Sequence, residues 1–228
     1  MISKLKYLVL LLAVSFVFNS QESGSNNDVE EVVTVGTQIK GARINEALPV
    51  TVISAEDIDD LGVDSGDDLL SSLPEQGINQ FGETGDTGGI NGARGDVGSY
   101  DIRSLGTGNT LVLINGRRMV SGASYQTEEI GGSFVPVESP NTQVLPLGLI
   151  ERVEILRDGA AALYGSDAVA AVVNNVLDAD YQGFEMRVRY KNFEHYNRDD
   201  HTVTIKWGES FNNGRTSITS YASFYDRD

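Results

Sequence analysis

Ile150-Glu151-Arg152-Val153-Glu154-Ile155-Leu156-Arg157-Asp158-Gly159, followed by Leu163-Tyr164-Gly165-Ser166-Asp167-Ala168-Val169-Ala170 and Val172-Val173-Asn174, is the stretch whose reading decides the fold. From Arg152 to Arg157, Val153 and Ile155 alternate with charged neighbours and Leu156 supplies a second layer, the period of a strand. Pro146, just upstream, is placed to open a short helical turn. Residues 160–165 form a small helical segment, and the apolar run 168–177 fits the centre of a sheet.

Working back towards the N-terminus, Pro49-Val50-Thr51-Val52-Ile53 reads as another strand. Ser54-Ala55-Glu56-Asp57 has the form of a capping box, and the helix it starts should end at Gly62. A second helix is expected from near Ser65, burying Leu69, Leu70 and Leu73 and stopping at Pro74. The acids Glu56, Asp57, Asp59, Asp60, Asp64, Asp67 and Asp68 crowd this region. Several fall in first helical turns, where the helix dipole favours negative charge, and they read as solvated caps; their spacing fits no EF-hand loop. Residues 81–99 are rich in glycine and polar side chains and read as an irregular loop. Gly106 and Gly108 lack the third glycine and the strand-to-helix setting of a dinucleotide fingerprint. In Thr110-Leu111-Val112-Leu113-Ile114-Asn115-Gly116-Arg117-Arg118-Met119-Val120, two apolar strands flank Asn-Gly, a strong hairpin signal. The polar excursion 121–141 that follows reads as an exposed binding loop or a tolerated insertion.

From Gly183 the pattern changes. Phe184, Met186, Val188 and Tyr190 alternate with Glu185, Arg187, Arg189 and Lys191; Val203, Ile205 and Trp207 alternate with Thr202, Thr204 and Lys206; Ile218, Ser220, Ala222 and Phe224 alternate with Thr219, Tyr221, Ser223 and Tyr225. Three such segments joined by polar turns suit a membrane barrel, and equally a water-soluble meander. His195 and His201 flank the first turn with no third ligand nearby.

At the other end, Lys4 and Lys6 precede an apolar run from Tyr7 to Phe18, too short for a bilayer span but suited to a signal peptide. They are the only charges in residues 1–20, so the remainder carries 15 basic against 33 acidic side chains, a net charge of −18. Such a balance argues against nucleic acid as a partner. The chain has no cysteine, which excludes a disulfide framework and a thiolate metal site. The β-prone run from Glu30 to Thr37 has two readings: an arm to be captured as an added strand by a partner's sheet edge, or a first strand of the domain itself. No nucleophile elbow, HExxH helix or phosphate loop occurs, so the chain is expected not to be an enzyme and to need no cofactor or metal.

Taken in order, these segments resemble the TonB-dependent receptor family. Glu31-Val32-Val33-Thr34-Val35 resembles the TonB box, and residues 47–53 resemble the first strand of the plug. Asp101-Ile102-Arg103-Ser104-Leu105-Gly106 with Thr110–Arg117 resembles the plug centre, and the stretch from Ile150 to Asn174 is the most specific match. Three positions depart from the pattern: Ser104 stands where the family usually has glycine, Ala171 replaces the glycine before the last plug strand, and Asn175 interrupts a commonly aliphatic strand. The resemblance implies an α+β plug domain with a small mixed sheet, followed by the first strands of an antiparallel transmembrane β-barrel of about 22 strands. It implies a signal peptide at 1–20, a periplasmic arm at 21–46, a plug at 47–180 and barrel strands at 181–228. It also implies a Gram-negative outer-membrane location with plug and TonB box facing the periplasm, contact with membrane lipid through the barrel, TonB as energy-coupling partner, and a bulky small-molecule ligand. Arg103, Arg152 and Arg157 resemble plug arginines that pair with barrel glutamates; ordinary ion pairing within the domain is the equal alternative for each. Iron–siderophore, cobalamin and saccharide cargo all fit. A receptor that binds or signals without transport is the alternative, set against by the roughly ten residues before the box. Because Asp228 follows an open ladder of three strands, the chain is expected to be a truncated fragment.

Overall fold

The computed structural model describes residues 50–77, 97–122, 126–157, 161–192, 199–212 and 214–227. The TonB-box candidate and most of the loop at 81–99 lie outside them. A five-stranded sheet forms the centre of an α+β unit. Its strands are β1 (Val50–Ser54), β2 (Thr110–Ile114), β3 (Arg117–Arg118), β6 (Ile150–Leu156) and β7 (Ala171–Leu177), in the spatial order β1-β6-β7-β2-β3. The β2–β7 pair is parallel and the other pairs antiparallel, so the sheet is mixed as expected. β7 takes the middle of the sheet because its first five residues are buried on both sides, which only a doubly covered strand tolerates.

Helices α1 (Ala55–Asp60) and α2 (Gly66–Ser72) start where the sequence places them. Ser54 caps α1: its hydroxyl accepts from the Asp57 amide at 3.2 Å, and Asp57 accepts from the Ser54 hydroxyl at 2.7 Å and amide at 2.9 Å. Those two bonds, the hydroxyl's first, hold the Asp57 carboxyl below its usual value. The folded pKa lies under the unfolded one, so the box contributes stability above the ordinary carboxylate range and loses it as pH falls through the depressed native value. An Asp57→Asn variant should therefore be less stable than wild type at neutral pH and converge with it in acid, as read from urea midpoints across a pH series.

One sheet face carries Val153, Ile155, Val112 and Val173 against Ile58, Leu69, Leu70, Leu73, Tyr100 and Ile102. The other packs Leu111, Leu113, Leu156 and Val172 against Ala168 and Tyr164, under α3 (Ala161–Tyr164). Adjacent Asn174 and Asn175 point to opposite faces, as strand geometry requires, and serve one each. Asn174 donates to Glu154 at 3.1 Å and accepts from the Gly116 amide at 2.9 Å. Asn175 accepts from the Tyr100 hydroxyl at 3.0 Å and donates to the Leu113 carbonyl at 3.2 Å. Burial pushes that hydroxyl well above its ordinary pKa, against the opposing pull of the Asn175 bond. The asparagine that breaks an aliphatic strand thus fixes the only fully buried tyrosine among the described residues.

The Asn115-Gly116 turn joins β2 to β3 with both residues at positive φ, 49° and 75°. Arg103 and Ser104 also have positive φ, 63° and 54°, although neither is glycine. This conformation costs an L-residue roughly 1–2 kcal/mol. Ser104→Gly, which restores the usual residue, should stabilise the protein by about 1 kcal/mol; an unchanged or lower urea midpoint would count against strain at this position.

The segment read as a loop at 121–141 is instead largely a hairpin, β4 (Gln126–Ile130) and β5 (Ser133–Val137). Gly131 and Gly132, at φ 60° and 79°, supply the tight turn that composition alone did not distinguish from a loop. A final three-stranded antiparallel meander comprises β8 (Gly183–Asn192), β9 (Asp199–Phe211) and β10 (Thr216–Arg227).

Candidate functional site

The chemistry of the molecule gathers where the α+β unit meets the meander. On β8, Phe184, Met186, Val188 and Tyr190 project away from the rest of the chain and are exposed. Across the register they meet Trp207, Ile205, Val203 and His201 of β9, giving a continuous apolar and aromatic face. Tyr190 and His201 pack there with their rings tilted by 40°, centroids 5.0 Å apart.

The opposite face of β8 carries Glu185, Arg187, Arg189 and Lys191, which strand alternation sets two residues apart, roughly 7 Å. This spacing matches the acids of α1, α2 and their connecting loop. Arg187 pairs with Asp59 and, at 2.8 Å, with Glu185. Arg189 reaches Asp64 at 2.7 Å and the Val63 carbonyl at 3.1 Å. Lys191 meets Asp64 at 2.6 Å and Asp68 at 3.3 Å. With only 7% of its side chain exposed, Asp64 lies at the centre of the ladder. The solvated-cap reading holds for Asp57 but is corrected for Asp59, Asp64 and Asp68: cations that follow more than a hundred residues later neutralise them. Reading the two charge runs together, cations at every second position of one strand and acids on two short helices, would have exposed the match.

Further along the seam, Lys206 of β9 binds Asp178 at 3.0 Å and sits 4.0 Å from the centre of the Tyr181 ring. Ser217 donates to Asp180 at 2.8 Å and Thr219 to the Ala179 carbonyl at 2.9 Å. Gly208 and Gly148 allow close approaches here. A Cβ at Gly208 would overlap the Tyr181 carbonyl, and one at Gly148 the Tyr221 ring. Beside these contacts lies a cleft of about 360 Å³, lined by Asp64, Gln143 and Leu145 on one side and Tyr221, Ser223 and Tyr225 of β10 on the other.

The arginines singled out in the sequence sit within the α+β unit. Arg103 donates to the Ala170 carbonyl at 2.9 Å. Arg152 binds Glu154 at 2.9 Å and Glu151 at 2.8 Å. Arg157 lies 3.4 Å from Glu75. Glu31, Val32, Val33, Thr34 and Val35 fall outside the described residues. No helix among the described residues is long and apolar enough to cross a membrane.

A mixed-sheet domain seated by ion pairs on the polar face of strands whose other face is apolar has the architecture of a plug and the beginning of a barrel wall. Residues 43–172 match the family model of the TonB-dependent Receptor Plug Domain, and the chain belongs to the TonB-dependent receptors. It is similar in structure to the ferric enterobactin receptor PfeA of Pseudomonas aeruginosa bound to enterobactin, at 24% identity and a TM-score of 0.56 over 80% of this chain and 25% of that one. The siderophore receptor PirA of Acinetobacter baumannii matches at 24% identity and a TM-score of 0.57, over 80% of this chain and 25% of its own. P. aeruginosa FpvA bound to pyoverdines matches at 15% identity and 0.55, over 86% and 22%. This chain therefore spans about a quarter of the length of the solved receptors it matches.

Proposed function

We propose that this chain is the plug and first wall strands of an outer-membrane receptor that takes up a bulky nutrient using energy delivered by TonB. The observation that carries this reading is the seam: a folded plug bonded to the charged face of β8 and β9, with their apolar face turned outward as lipid requires. Residues 1–20 direct export. Residues 181–228 begin the wall in the lipid of a Gram-negative outer membrane, and the plug, from about residue 47 to 180, closes its lumen from the periplasmic side. The chain performs no catalysis and needs no cofactor of its own.

TonB captures Glu31, Val32, Val33, Thr34 and Val35 as an added strand, in which backbone hydrogen bonds supply affinity and transmit load. β1, the first element of the described residues, is an edge strand bonded among them only to β6, so load on the arm reaches the sheet at its edge. Arg103, Arg152 and Arg157 are the candidates to meet glutamates farther along the wall; Arg103 and Arg157 are the more open, whereas Arg152, with 12% of its side chain exposed, already pairs with Glu151 and Glu154. Enterobactin and pyoverdines are bound by the solved neighbours PfeA and FpvA, which makes ferric siderophores the first cargo class to assay, ahead of cobalamin and saccharides.

The test is growth of a receptor-deletion strain on ferric siderophores as sole iron source. The wild-type gene should rescue growth, and Val33→Pro, which removes an amide from the captured strand, should abolish rescue while leaving binding of cargo to cells intact. Rescue by Val33→Pro would show the box to be misassigned. Binding without uptake by the wild type would favour a receptor that does not transport.

A further inference from the structure

We propose that the ion-pair ladder between β8 and the acids of α1, α2 and their connecting loop is an arrest point, which limits how far the plug opens when its N-terminal arm is pulled. The inference rests on the reading that TonB loads this arm. It follows from chain order. Force arriving at Val50 meets β1 first, and β1 is held by five residue pairs to β6, beginning with Val50↔Leu156 and ending with Ser54↔Arg152. Loaded from the Val50 end, these pairs separate in succession rather than together. Ser54 passes directly into α1, which has a single buried side chain, Ile58, and so little apolar burial to hold it.

Beyond Ser54 the segment is held by charge as well as by the burial of Ile58 and Val63, ahead of the core leucines Leu69 and Leu70. Asp59 is bonded to Arg187, Asp64 to Arg189 and Lys191, and Asp68 to Lys191. All three cations belong to β8, a strand whose ladder with β9 runs for ten pairs, from Gly183↔Gly208 to Asn192↔Asp199. The ladder thus transfers load from a short, weakly buried helix to a wall that does not yield. Its central pair is shielded, with side-chain exposures of 7% for Asp64 and 23% for Arg189, so water screens it less than it would an exposed surface pair. Pulling then frees β1 and leaves α1, α2 and the core beneath them in place.

The test pulls the N-terminus of the full-length receptor, reconstituted in a lipid bilayer, with magnetic tweezers. It needs neither TonB nor cargo. Beyond any extension of the residues before Val50, the first rupture in wild type should free the five residues of β1, roughly 17 Å of contour, and a second rupture at higher force should follow. With Arg187→Gln, Arg189→Gln and Lys191→Gln together, the first step should run on to α2, 19 residues from Val50 to Asp68 and roughly 65 Å. A wild-type first step already this long, or a variant step as short as wild type, overturns the proposal.

Should the neutral variant fail to assemble, Asp64→Cys with Arg189→Cys, joined by a bis-maleimide, replaces the central pair covalently. The first step should then stay at about 17 Å while the second rupture moves to higher force; an unchanged second rupture overturns the proposal. The growth assay with Val33→Pro separates the two readings. If that variant loses uptake while the ladder variant ruptures like wild type, coupling through the arm stands and the arrest point falls.

Discussion

Arg152→Ala is expected to destabilise the plug by about 3–5 kcal/mol, the usual result of removing one partner from a buried charge pair. Glu154 is fully buried in the second strand of the sheet, and the Arg152 Nε bonds its carboxylate at 2.9 Å. Asn174 donates to the same carboxylate and also accepts from the Gly116 amide. The charge is therefore one member of a line of bonds that crosses from β6 through β7 to the β2–β3 turn. Removing the guanidinium takes the cation bonded at 2.9 Å away from a carboxylate that is fully buried. Arg152→Met combined with Glu154→Leu, which removes both charges and keeps volume, should recover most of the loss. The measurement is pulse proteolysis of the plug in the full-length receptor across a urea series. A loss below about 1 kcal/mol for the single variant would mean that the pair behaves as an exposed one, because surface pairs contribute only that much.

Leu70→Ala should cost about 2–5 kcal/mol in the same assay. Leu70 is fully buried, with Leu69 beside it, in the cluster that joins α2 to Val153, Ile155 and Val173 of the sheet. The loss combines lost transfer energy with a cavity that rigid strands on the far side cannot close. Leu61→Ala offers the contrast nearby: Leu61 is 55% exposed at the end of α1, and its truncation should stay within about 0.5 kcal/mol. Similar losses at both positions would show that α2 is not packed as described. Lost packing at Leu70 should also reach the seam, because Asp68, two residues earlier on the same helix, binds Lys191.

The local elements were legible because their signals are local. Ser54 and Asp57 meet across one helical turn, Asn115-Gly116 turns two strands within four residues, and the alternation of β8 lies in its own side chains. The hairpin at Gln126–Val137 escaped because Gly131-Gly132, set in a polar, glycine-rich stretch, reads as loop until the flanking strands are seen to pair. Among the three departures from the family pattern, Ser104 and Asn175 acquired physical meaning only in three dimensions. One occupies a backbone conformation suited to glycine, and the other satisfies a buried tyrosine 75 residues away.

By itself, the sequence determined the family, the plug elements and which strand faces are apolar, since each of these rests on residue order or on a period of a few residues. Tertiary structure alone decided the partners of the charges. Asp59 and Arg187 are separated by 128 residues, and Asp64 and Arg189 by 125. Charge in a sequence carries no address: an acid at a helix start is equally suited to a dipole, to solvent or to a distant cation. Only the seating of the plug against β8 chooses among them, by placing the acids of two short helices opposite cations that alternate along a strand.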